Sequence, residues 1–170
     1  GRLFADCTGD GTVGYLAKAD YRIGRENHAV AQEPSAPQAR DRKMMGSTMQ
    51  WYAFPRADAG TFPRPEELPW AMKVNKDYFI DRSSWAWWWE TGLEIDNATE
   101  AELVRDNFLR AVFGNWAYLK NHLPKYANYR LDYLQHIAMK RESRRLLGDV
   151  ILDETDILER VEFPDASFTT

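Results

Sequence analysis

Cysteine is almost absent from this 170-residue chain. Cys7 stands alone, so no disulfide can close within the chain and no site built from several thiolates can form. Histidine is nearly as scarce: His28, His122 and His136 lie far apart, follow no ligand spacing and read as surface or capping residues, so no metal site is expected. Long hydrophobic runs are missing too. The longest is the five residues 85–89, against the roughly 18–20 that span a bilayer, and no signal-peptide pattern opens the chain. The expectation is a soluble chain with no membrane span. Positive charge is not in excess, since 22 Lys and Arg face 26 Asp and Glu for a net charge of −4, which argues against nucleic acid as a partner. Low-complexity tracts and internal repeats are absent, and 44% apolar residues are enough for a core.

What the chain has in excess is aromatic side chains: 7 Trp, 8 Tyr and 8 Phe, enough to fill a core with rings. Patterning along the chain suggests an α+β fold, with a small, mostly antiparallel sheet packed against two long amphipathic helices. Residues 2–8 read as a short strand, residues 9–14 as a glycine-rich turn and residues 15–21 as a short helix, giving an N-terminal strand, turn and helix over residues 1–23. Residues 24–43, with Pro34 and Pro37, read as a long excursion. Strand texture recurs over residues 44–54, 70–80 and 84–95, the last two spaced as a hairpin or meander, and Pro63, Pro65 and Pro69 keep residues 56–69 extended or turning. Asn97, three residues before Glu100, opens a capping-box-like start to a first helix over residues 97–119, with Ala101, Val104, Phe108, Ala111, Val112 and Leu119 on one face. Pro124 suits the first turn of a second helix over residues 124–145, which would place Arg130, Arg141 and Arg144 on the arc of Tyr133 and Ile137. A short last helix is expected over residues 153–160.

Three constellations bear on function. Gly9, Gly11 and Gly14 match G-x-G-x-x-G, a spacing that lets backbone N–H groups approach a pyrophosphate; the polar residues before it and the missing second strand after it leave a structural glycine turn as the alternative. Lys140, Arg141, Arg144 and Arg145 crowd cations whose desolvation calls for an anion, supplied either by Glu142 and the acidic tail or by a ligand. On a strand, Trp85, Trp87 and Trp89 would share a face and could form an indole wall against a sugar or a flavin ring, or could simply fill the core. No hydrolase triad can be assembled. A non-catalytic, aromatic-faced carbohydrate-binding or interaction module is the second functional class these residues allow.

The opening RLFADCTGDGTVGYLAKADYRIGRE, the later MGSTMQWY and WWWETG, and above all KRESRRLLGDVILDETDIL at residues 140–158 resemble, in the same order, FAD-dependent oxidoreductases of the glutathione-reductase-like two-dinucleotide class. In that class the Asp-x-Thr-Gly-Asp-Gly turn is a later contact with FAD, and the primary fingerprint lies upstream. The resemblance implies that Thr8, Gly9, Asp10 and Gly11 touch the nucleotide part of FAD, while Arg141, Arg144, Trp87 and Trp89 lie toward the flavin or substrate. It also implies that residues 1–23 are a remnant of a flavin-binding domain and residues 24–170 a substrate-side domain. The chain would be a piece of a longer enzyme, its partners the missing N- and C-terminal segments and a small-molecule substrate, and alone it would not retain FAD. Cys7 stands where the class commonly has Ala, and Lys18 where it usually has Gly.

Overall fold

The computed structural model describes residues 1–83 and 94–164. In chain order the elements are α1 (Thr12–Leu16), β1 (Tyr21–Arg22), α2 (His28–Ala31), β2 (Trp51–Pro55), α3 (Ala101–His122), β3 (Tyr129–Leu134), β4 (Arg145–Leu146) and α4 (Glu154–Leu158). The fold is α+β with small antiparallel sheets, and among the described residues α3 is the one long helix. The chain divides into two compact units, Gly1–Met44 with Ser143–Thr170, and Met45–Glu142.

The Met45–Glu142 unit is built on α3. Its apolar periodicity is obeyed, since Val104, Phe108, Ala111, Val112 and Leu119 are all buried, and Trp116 and Ala117 widen the buried stripe toward the C-terminus. Trp51 of β2, Trp116 of α3 and Tyr126 form the centre, with Trp51 and Trp116 meeting edge to face at 6.0 Å and Trp116 and Tyr126 at 5.9 Å. Each such ring removes roughly 200 Å² from water, worth about 5 kcal/mol at about 25 cal/mol per Å². These indoles serve as core. Trp70, by contrast, is half-exposed against Phe113, and Trp85, Trp87, Trp88 and Trp89 lie outside the described residues.

A second long helix over residues 124–145 does not form. Pro124–Tyr126 makes a single 3-10 turn, and β3 then pairs antiparallel with β2, Pro55 opposite Tyr129 and Trp51 opposite Leu134. The reason is a period of two: Tyr129 and Leu131 pack on the aromatic core, Arg130 and Asp132 do not, and a bulge opposite the step from Tyr52 to Ala53 returns Leu134 to the core side. Arg130 therefore lies on a strand beside Asp58 and Asp132, and it shares no helix arc with Arg141 or Arg144. Two further expectations fail for local reasons. The Asn75 side chain takes the N–H groups of Asp77 and Tyr78, so residues 70–80 turn and carry one isolated bridge in place of a strand. Asn97 is buried and donates to the carbonyls of Met45 and Glu142, leaving the approach to α3 to Asp96 and Glu100.

Candidate functional site

The other unit brings the glycine turn to the arginine-rich segment. Residues 2–8 form no strand, because Asp6 folds its own chain over: its carboxylate accepts from the Thr8 N–H at 3.1 Å, the Thr8 hydroxyl at 2.7 Å and the Gly14 N–H at 3.0 Å. The Thr8 hydroxyl in turn accepts from the N–H groups of Asp10 and Thr12. These bonds, that from the Thr8 hydroxyl first and that from Gly14 next, hold the Asp6 carboxyl down at about 2, so it is ionised at neutral pH. Gly9 and Gly11 both have positive φ, 74° and 60°, a region costly to other residues.

Asp10 is 7% exposed, and its Oδ1 accepts from the hydroxyl of Ser143, which is 1% exposed, at 2.7 Å. Arg144 donates to the Asp10 carbonyl at 3.3 Å and lies over the Tyr15 ring at 4.1 Å. One residue on, β4 pairs with β1, Tyr21 opposite Leu146 and Arg22 opposite Arg145. Arg145 reaches Glu26 at 3.0 Å and also donates to the Gly24 carbonyl. Glu26 thus supplies Arg145 with an anion of the kind the crowded cations call for. Leu146 lies so close to Gly14 that a Cβ there would come within 2.6 Å of Cδ2.

Of the residues singled out in the sequence, Thr8, Gly9, Asp10, Gly11 and Arg144 come together. Arg141 is exposed and belongs to the Met45–Glu142 unit, while Trp87 and Trp89 fall outside the described residues. Asp6, Ser143, Tyr15 and the Glu26–Arg145 pair were not singled out. Asp6 could have been, since an Asp two residues before a Thr in a glycine turn is an Asx-turn signal; the rest are long-range. Lys18 is instructive. With the Lys18 N–H on the Tyr15 carbonyl and the Ala19 N–H on the Gly14 carbonyl, α1 ends in a Schellman motif whose left-handed residue is Lys18, at φ 63°. The position at which the resembling family usually has Gly is the one whose backbone favours it.

The chain matches the family model described as FAD dependent oxidoreductase over residues 1–167. It belongs to that family. No curated protein and no solved structure matches it. As an FAD-dependent oxidoreductase it has FAD as its cofactor and a small molecule as its substrate class, and this does not favour the aromatic-faced binding module. Among the described residues of the oxidoreductase, no helix is long and apolar enough to cross a membrane.

The turn can be tested against the cofactor. Asp6 already places an ionised carboxylate on the Gly14 N–H at the start of α1, so a pyrophosphate seated there would meet a negative charge. Gly9 differs: it is exposed, and no heavy atom lies within 4 Å of where its Cβ would be. The turn therefore suits a cofactor that approaches the backbone at Gly9, and does not suit a primary pyrophosphate seat at α1.

Proposed function

We propose that the chain is an internal segment of a glutathione-reductase-like two-dinucleotide flavoenzyme that transfers a hydride between FAD and a small organic substrate. Residues 1–23 are the remnant of the flavin-binding domain and residues 24–170 the substrate-side domain. The observation that carries this reading is the meeting of the two most family-like stretches, the Asp-x-Thr-Gly-Asp-Gly turn and the segment that follows Arg141, through Ser143 and Arg144 on Asp10.

FAD, when bound, supplies the isoalloxazine that accepts or donates the hydride. Thr8, Gly9, Asp10 and Gly11 contact its nucleotide part: the left-handed Gly9 carries no side chain to hold the cofactor off the backbone. Arg144 spends one donor on the Asp10 carbonyl and its planar face on Tyr15, so further N–H groups of its fork remain for an anionic group of substrate or flavin. The family resemblance gives Arg141, Trp87 and Trp89 roles on the flavin or substrate side.

Flavin titration of the 170-residue chain beside the full-length protein tests the proposal. The full-length protein is expected to hold FAD stoichiometrically and the chain alone to lose it on gel filtration; a chain that elutes with one FAD per molecule overturns the segment reading. In the full-length protein, Arg144→Ala is expected to weaken substrate binding and slow flavin reduction by about ten-fold or more. Unchanged values remove Arg144 from the site.

A further inference from the structure

The turn over residues 8–11 is braced from within by the Asp6 and Thr8 side chains, which take the N–H groups of Thr8, Asp10, Thr12 and Gly14, but none of these bonds holds the Asp10 side chain or carbonyl. Two of its residues have positive φ, and the helix that follows has five residues, far short of the roughly 12–15 at which a helix becomes marginally stable alone. Ser143 and Arg144 tether the turn from a distant part of the chain. The Ser143 hydroxyl, donated to a buried carboxylate 133 residues away, fixes the direction of the Asp10 side chain, and Arg144 fixes the carbonyl of the same residue. Asp10 is thus held from side chain and main chain at once, directly between the two left-handed glycines.

We infer that Ser143 is a positioning residue for the cofactor: its hydroxyl, through Asp10, holds the turn in the shape that offers Gly9 to FAD. The inference rests on the proposed contact between the turn and FAD. Ser143 touches nothing of the cofactor itself, and its role is to limit the conformations the turn must give up when FAD binds.

The test is FAD affinity, by quenching of flavin fluorescence in the full-length protein, for Ser143→Ala, Ser143→Thr and Gly9→Ala, with the melting temperature of each apoprotein measured alongside. Loss of a hydrogen bond to a carboxylate predicts a Kd about ten-fold higher for Ser143→Ala, and restoration to within about two-fold for Ser143→Thr, which keeps the hydroxyl. Gly9→Ala, which places a methyl where the cofactor approaches, weakens FAD binding whatever Ser143 does. If Gly9→Ala weakens binding and Ser143→Ala does not, the positioning role is overturned and the contact stands. If Gly9→Ala leaves the Kd unchanged, the contact itself fails. A Ser143→Thr protein that folds with the melting temperature of the parent and still binds as poorly as Ser143→Ala also overturns the role, because the donor would then be present without effect.

Discussion

Replacing Gly114 by Ala tests the packing of α3 through the sign of its effect. In an exposed helix interior the change stabilises by about 1 kcal/mol, because Ala is the better helix former. Gly114 is buried in mid-helix, and a Cβ there would sit 2.9 Å from the Met72 carbonyl carbon and closer still to its oxygen. The Met72 backbone is held in that place by its N–H on the Arg110 carbonyl at 2.9 Å. To admit the methyl the Met72 segment must lift from the helix. That costs about 1–3 kcal/mol in displaced packing and about 1 kcal/mol for the strained or broken hydrogen bond. Set against the propensity gain, the net loss is about 2 kcal/mol, or a fall of roughly 4–8 °C in melting temperature for a chain of this size. Urea unfolding followed by tryptophan fluorescence reads it directly, since Trp51 and Trp116 lie in the core that α3 organises. An unchanged or raised midpoint for Gly114→Ala would refute the close approach of Met72 to the helix.

Lys18→Gly should have the opposite sign: relieving a left-handed lysine recovers about 1–2 kcal/mol, less about 0.5–1 kcal/mol for the freer unfolded glycine, and a calorimetric rise of roughly 2 °C is expected. No rise, or a fall, would mean that the lysine side chain stabilises the end of α1 in a way its backbone does not reveal. Asp6 and Asp41 are both held at about 2 against an ordinary 3.8, Asp6 chiefly by the Thr8 hydroxyl and Asp41 chiefly by Arg25. Since the folded values lie below the unfolded one, their contribution to stability is complete above about pH 4 and is lost as pH falls through about 2. Carboxyl NMR titration should show both groups ionised at pH 3, and midpoints near 4 would contradict the hydrogen bonds described.

The parts of this fold legible in the sequence are those whose causes are local. The burial of α3 follows from a 3.6-residue repeat that Val104, Phe108, Ala111 and Val112 obey, and α4 starts where Asp153 and Asp156 form a capping box. The Thr8–Asp10 turn was visible because Gly and Asp carry their conformational preferences with them. Residues 126–137 were misread because Tyr126, Tyr133, Leu134 and Ile137 satisfy a helical spacing, while the alternation of Tyr129 and Leu131 satisfies a strand; pairing with residues 51–55 decides between them, and that partner is far away in sequence. The same distance hid Ser143. A serine has no local signature for a bond formed 133 residues upstream, and Arg145 carries no local sign that Glu26 would receive it.

That separation also has a cost in time. A ribosome adding roughly 5–20 residues per second needs roughly seven to twenty-seven seconds after making Asp10 to make Ser143, 133 residues later. Throughout that interval the glycine turn lacks Ser143 and Arg144, while residues 45–142 are synthesised in between. The stretch before the turn, with Leu3 and Phe4 exposed even in the finished fold, presents apolar side chains to chaperones while the turn awaits Ser143 and Arg144.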